Sequence, residues 1–312
     1  MTHPLDRQLL FVTGKGGVGK TTVAAAAGIA AAARGRRTIV VETLGQARLP
    51  RLFGRSVPTP GLEVPLADRL SSLTVDPAVG LEEYVAHQLH SRSLVRVLTH
   101  SNAFRSFVDA APGAKELIAI AKAWELVQAH RWDRRSAPYD LVVVDAPASG
   151  HGLGLLRTPR TFGDIARVGP LHTQAVRVRE WLEDPRRSGY LVVALAAEMP
   201  VTETLEVEGR LRHALGRDVE TIVVNALLPR RFAARELQEL DDLPADGTIL
   251  AAGRAAARSH AARVRGQQAE LQRLRRTARA PVGTLPFVPC AALELDDVRG
   301  LADRLAVVVG GG

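Results

Sequence analysis

Nine consecutive residues, Gly14-Lys15-Gly16-Gly17-Val18-Gly19-Lys20-Thr21-Thr22, carry the clearest chemistry in this 312-residue sequence. They fit the phosphate-loop pattern G-x-x-x-x-G-K-[ST]. The glycines allow successive backbone N–H groups to turn inward on a phosphate, and a helix starting directly after them adds its positive dipole end. Lys20 can reach β- and γ-phosphates, and the Thr21 hydroxyl can ligate Mg²⁺. A glycine-rich turn that binds nothing has the same composition, so the flanks decide. Leu9 to Val12 are apolar and read as a buried strand, while Val23 to Ala33 are almost all alanine and read as a tightly packed helix. Strand, loop and helix together predict a site for ATP and Mg²⁺.

The chain has four lysines, at 15, 20, 115 and 122, among 41 basic residues, and two of them stand in this loop. At position 20 a slim ammonium suits phosphate coordination better than a planar guanidinium. With its second lysine, G-K-G-G-V-G-K-T-T resembles the signature of the deviant-Walker ATPases. These include the arsenical-pump ATPases, the tail-anchored-protein targeting factors, and the partition and Min-system ATPases. In that class the first lysine crosses a dimer interface to the partner's nucleotide, and the resemblance implies this role for Lys15.

Further elements must position the rest of such a site. Thr38 to Val41 read as a second strand, and Glu42 to Gly54 resemble the family's first switch loop. Arsenical-pump-like members carry an S-x-D-P-A-H-type sequence here, whose aspartate orients the attacking water. An ungapped match puts Leu44 at that aspartate, and Leu44 can neither orient water nor take its proton. Glu42 is the candidate replacement, or else a carboxylate that serves the metal or a loop amide. Tyr139 to Asp145 read as a buried strand ending in a carboxylate, which would hold Mg²⁺ through water while Thr21 holds it directly. The sequence that follows, Ala146 to Leu153, resembles the family's second switch loop, with Gly150 and His151 as the matching residues. Val219 to Val224 form a strand ending at Asn225, whose amide can read an adenine edge or cap a turn. By resemblance Asn225 reads the base, and Pro286-Phe287 belong to a loop that closes over it.

Between these elements the sequence predicts helices at about 80–132 and 153–184, the second interrupted near Arg157 to Arg160 and at Gly169-Pro170. Pro58 to Pro65 read as a proline-rich turn, Leu70 to Val75 as a strand and 112–127 as an amphipathic helix. By resemblance the two helical insertions form a subdomain above the nucleotide sheet. Partition-type relatives are shorter here. Gly189 to Ala196 and Val282 to Leu285 complete the strands, and 253–279 form a long helix with eight arginines. Within it, Arg263 to Leu271 resemble the family's R-x-x-Q-Q-x-x-L pattern.

Composition bounds the rest. An apolar content of 46% supports a sizeable core. No run of about 18 apolar residues is free of charge, so no transmembrane helix is expected. The N-terminus enters the first strand at once, which leaves no room for a signal peptide. Cys290 is the single cysteine, excluding an internal disulfide or a multi-cysteine metal site within one chain. A cytosolic location follows, with a peripheral position at a membrane left open. A net charge of +8 would suit an anionic partner, but it is spread over the chain and few aromatics interleave with it, so nucleic acid is not expected.

The predicted fold is an α/β/α three-layer sandwich with a mostly parallel sheet and an inserted helical subdomain, all in a single P-loop ATPase domain over 1–312. Three functions remain open. The first is an ATP-hydrolysing switch, paired with itself or a related chain, that couples Mg-ATP to an apolar cargo or membrane partner. The second, prompted by Leu44, is a nucleotide-binding regulatory subunit with little hydrolysis. The third is a partition-type ATPase scaffolded on DNA. The familiar cargoes of the resembled families need several thiolates or a methionine-rich groove. This chain offers Cys290 and, after its first residue, Met199.

Overall fold

The computed structural model describes residues 3–43, 47–56, 59–89, 113–133, 136–165, 168–243 and 247–311. Strand β1 (Leu9–Gly14) leads through the glycine-rich loop into α1 (Lys20–Ala33). β2 (Thr38–Glu42), α2 (Arg48–Leu52), β3 (Glu63–Ala67), β4 (Leu70–Thr74) and α3 (Pro77–Leu89) follow. Next come α4 (Ala114–Glu125), β5 (Leu141–Asp145), α5 (Ser149–Ile165), α6 (Pro170–Glu183), β6 (Ser188–Leu195) and α7 (Glu198–Leu215). β7 (Thr221–Leu227), α8 (Ala234–Asp242), α9 (Thr248–Thr277), β8 (Val282–Pro286) and α10 (Leu295–Gly310) complete the chain.

The strands form one sheet in the order β3-β4-β2-β5-β1-β6-β7-β8. All neighbours are parallel except β3 and β4. Central strands are apolar on both faces, as a sheet covered by helices on both sides requires. Successive side chains alternate between the faces. Leu9 and Phe11 join a core with α4, α5, α6, α7 and α9, whereas Leu10 and Val12 join a second core with α1 and α10. The alanine run of α1 lets that helix pack closely against α10. Among the described residues no helix is long and apolar enough to cross a membrane.

The helices lying between β4 and β5, and between β5 and β6, pack on one another: α3 on α4, and α4, α5 and α6 mutually. A buried ionic cluster ties them to the sheet edge. Glu125 on α4, fully buried, accepts from Arg131 Nε (3.0 Å) and from the Trp132 backbone N–H (2.8 Å), and lies 3.2 Å from Lys122 Nζ. Arg131 also bonds Glu63 on β3, and Lys122 bonds Glu83 on α3.

Two expectations need correction. The proline-rich stretch 58–65 does not end as a turn, because Glu63–Ala67 pair antiparallel with β4. Pro65 has no N–H to donate, but β3 is an edge strand with one neighbour, and the pairing shifts register between Pro65 and Ala67. Nor do Arg157 to Arg160 break the helix, since α5 runs through Pro159. Proline there forgoes one backbone bond, and burial of Leu155, Leu156 and Thr158 among neighbouring helices outweighs that loss. The interruption at Gly169-Pro170 is present, and Pro170 takes the first turn of α6, where its missing N–H costs nothing.

Candidate nucleotide and switch site

The phosphate loop owes its shape to backbone that only glycine tolerates. Gly14 has φ +146°, and a Cβ there would collide with the Val193 carbonyl oxygen of neighbouring β6. Gly19 has φ +91°, and a Cβ there would strike the Asn225 amide. A Gly14→Ala substitution is expected to destabilise the fold by about 1–3 kcal/mol through overpacking. Urea denaturation checks this, and an unchanged midpoint would mean that the strand ends separate freely. Gly16 and Gly17 are exposed at the tip, Val18 anchors the loop in the core, and Thr22 lies half-buried in the first turn of α1.

The two loop lysines occupy different places. Lys20 Nζ donates to the Lys15 carbonyl (2.9 Å), folding back across the loop. Burial lowers its pKa, with Asp145 opposing and Arg48 adding to the shift. Lys15 Nζ instead pairs with Glu203 Oε1 on α7 at 2.7 Å, both side chains being about one-third exposed.

Thr21 Oγ1 donates to Asp145 Oδ2 (2.7 Å). The other carboxylate oxygen, Oδ1, is buried without a hydrogen-bond partner among the described residues. Burial raises the Asp145 pKa, against the Thr21 hydroxyl and the charges of Lys20 and Arg48. A hydroxyl beside a carboxylate with an unused oxygen is a hard-oxygen donor set, which fits Mg²⁺.

Glu42 stands beside Asp145 in the parallel β2–β5 register. It is almost fully buried, and both its oxygens are engaged. Oε1 accepts from the Arg48 backbone N–H (2.9 Å) at the start of α2, and Oε2 accepts from Thr74 Oγ1 (3.3 Å). Burial raises its pKa, and the Arg48 amide offsets part of this. Leu44 lies outside the described residues. Gly150 falls in the first turn of α5, directly after the Asp145 loop, and the side chain of His151 lies outside the described residues.

Near the end of β7, Asn225 Nδ2 donates to the Val18 carbonyl (3.0 Å), so this side chain contacts the phosphate loop itself. β7 continues past Asn225 to Leu227, through Ala226 at φ +54°. Gln267 on α9 holds this turn. Its Oε1 accepts from Leu228 N (2.8 Å), and its Nε2 donates to the Ala226 carbonyl (3.4 Å). Pro286 closes β8, and the Phe287 N–H donates to the Leu227 carbonyl (2.9 Å), leaving its ring 44% exposed. Glu203, Arg48 and Gln267 were not assigned roles from sequence. Arg48 lies in the Glu42–Gly54 stretch that resembles a switch loop, Glu203 in the Glu198–Thr204 stretch that opens α7 and resembles the family's segment there, and Gln267 in the Q-Q pair of α9, but none of these patterns marks the contact the residue makes.

A strand, a glycine-rich loop and a helix at the centre of a mostly parallel sheet, with the Asp145 carboxylate ending the adjacent strand, define a P-loop nucleotide-binding protein. The model of the anion-transporting ATPase family matches residues 7–168, from β1 through α5. ATPase BagA of Mycobacterium tuberculosis is 30% identical over 251 residues, covering 79% of this chain and 73% of that protein. An arsenical pump-driving ATPase of Escherichia coli is 26% identical over 263 residues, covering 76% of this chain and 44% of that protein. The chain belongs to the anion-transporting ATPase family, and it is an ATPase.

Proposed function

We propose that this ATPase is a dimeric nucleotide switch, pairing with a second copy or a related chain, whose Mg-ATP state is coupled to an apolar cargo or membrane partner at helices α3 to α6. The observation that carries the reading is the separation of the two loop lysines. Lys20 stays within its own loop. Lys15 is held outside it by Glu203, in a partly exposed ion pair that can be exchanged for another anion. In the proposed cycle, Lys20 and the loop N–H groups bind the β- and γ-phosphates. Asn225 and the Pro286-Phe287 turn flank the base. Lys15 leaves Glu203 for the partner's nucleotide. Thr21 and Asp145 would hold Mg²⁺, which would neutralise phosphate charge at this site.

The test separates the lysines. Lys15→Ala is expected to keep ATP affinity but lose ATP-dependent dimerisation in analytical ultracentrifugation. Glu203→Gln should raise the dimer fraction at a given Mg-ATP concentration. Equal loss of ATP affinity in Lys15→Ala and Lys20→Ala chains would refute the partner-nucleotide role.

A second reading, a regulatory subunit with slow hydrolysis, draws support from Glu42. Its oxygens are committed to Arg48 N and Thr74, which suits a residue that positions the start of α2 better than one that activates water. Glu42→Gln is therefore expected to leave ATP turnover within about threefold of the parent; a hundredfold fall in a folded variant would return Glu42 to catalysis. Stability supplies an independent readout. Because the native Glu42 pKa is raised, the folded chain binds its proton more tightly than the unfolded chain. Native stability from this group is therefore lost as pH rises from the ordinary glutamate range through the raised value. The Gln variant lacks that loss, so its advantage over the parent should grow across this window in pH-resolved urea melts.

A further inference from the structure

Beyond β7 the chain runs through Leu228-Pro229-Arg230-Arg231-Phe232, and this segment with α8 and α9 encloses a groove of about 360 Å³. Helix periodicity sets its lining. On α9, His260, Ala261, Val264 and Arg265 share one face, one turn apart, and α8 adds Leu237. Ala261 and Val264 are buried, and Phe232 and Leu237 are half-buried, so the floor is apolar. His260 ties the segment to α9. Its Nε2 donates to the Pro229 carbonyl (2.9 Å), and its ring meets Phe232 edge to face at 6.0 Å.

The rim is cationic. Arg230, Arg231 and Arg265 stand around the groove, all three exposed, and no acidic residue lines it among the described residues. None of the three guanidinium groups has an ion-pair or hydrogen-bond partner among the described residues. The carboxylates of the two helices are engaged elsewhere. Glu236 accepts from the Ala233 N–H, Glu239 pairs with Arg235, Asp241 with Arg258 and Glu270 with Arg273, while Asp242 accepts from Gln238. The groove therefore carries uncompensated positive charge in a form that suits carboxylates, which arginine can hold through two N–H groups at once.

Its shape selects among anionic partners. A membrane-binding face needs apolar side chains that project into the lipid, whereas here they line a recess. Single-stranded nucleic acid needs open rings for stacking, whereas Phe232 is half-buried against His260. A protein segment with apolar side chains set between carboxylates meets both the recess and its rim, with the apolar groups as anchors and the charges fixing orientation.

We propose that this groove docks an acidic segment of a partner protein. Its apolar side chains rest on Phe232 and Leu237, and its carboxylates take Arg230, Arg231 and Arg265. None of helices α3 to α6 takes part.

The test is fluorescence anisotropy of a labelled synthetic peptide, a Leu-Phe pair flanked by acidic residues on both sides, titrated with the full chain at physiological salt. Saturable sub-millimolar binding is expected, at least tenfold tighter than that of the same peptide with Gly-Ser at its centre. Arg231→Glu and Arg265→Glu should each weaken it at least fivefold at unchanged melting temperature. Arg276→Glu, an exposed position in the last turn of α9, changes the net charge equally and should leave affinity within twofold of the parent. No saturable binding, indifference to the central pair, indifference to both rim variants, or an equal loss in Arg276→Glu would overturn the proposal. Binding to phosphatidylserine vesicles that needs Arg231 and Arg265, in a chain that does not bind the peptide, would overturn it in favour of a membrane.

Discussion

The Lys20→Ala chain is expected to bind ATP about 30- to 1,000-fold more weakly than the parent, a loss of about 2–4 kcal/mol. The size follows from where the ammonium sits. It is half-buried in a loop whose other donors are backbone N–H groups, so its charge-assisted bonds to phosphate are poorly screened. Its lowered pKa shows that burial already disfavours the charged form, and a bound polyphosphate removes that penalty. Lys15 does not take its place in the free loop, where its ammonium points out of the loop to Glu203 on α7. The loss should not come from unfolding. Among the described residues, the hydrogen bond of Lys20 Nζ goes to a carbonyl in the same loop. Calorimetric titration with ATP gives the affinity, and a melting temperature within a few degrees of the parent controls for fold. Affinity within threefold of the parent would mean that the loop does not hold the phosphates.

Glu125→Ala is expected to cost about 3–5 kcal/mol of stability, much of what a domain this size has to lose. Glu125 is fully buried and receives Arg131 Nε, Lys122 and the Trp132 N–H. Its removal leaves Arg131 with Glu63 and Lys122 with Glu83 at the periphery of the cluster, and an unpaired backbone donor at Trp132. Glu125→Gln keeps one acceptor oxygen and should lose less. Urea melts at neutral pH decide, and a loss below about 1 kcal/mol for the alanine variant would mean that water reaches the cluster.

The features legible in the sequence were those written over short spans. The phosphate loop is nine contiguous residues, and the alternation of Leu9, Leu10, Phe11 and Val12 between two cores follows from strand geometry alone. Asp145 was legible for the same reason, a carboxylate at the end of an apolar run. What escaped depends on partners far along the chain. Glu203 stands 188 residues from Lys15, and no local pattern joins them. Glu42 was visible as a carboxylate at a strand end, but the commitment of its oxygens depends on Thr74, 32 residues away, and on how α2 begins. Proline misled twice, at Pro65 and Pro159, because its local preference was overruled by edge position in one case and by tertiary burial in the other. Lys122 is visible in the sequence as one of four lysines, but its burial in an ionic cluster is not.

The antiparallel strand β3 has a bearing on how copies of this protein can meet. An exposed sheet margin is a template on which another chain can add a strand and propagate. Here that margin presents Pro65, which offers no N–H, and a shifted register just beyond it. A visiting strand would find its ladder interrupted after a few residues. Uncontrolled growth of the sheet is thereby checked on this side, and association between copies is directed away from strand addition at β3.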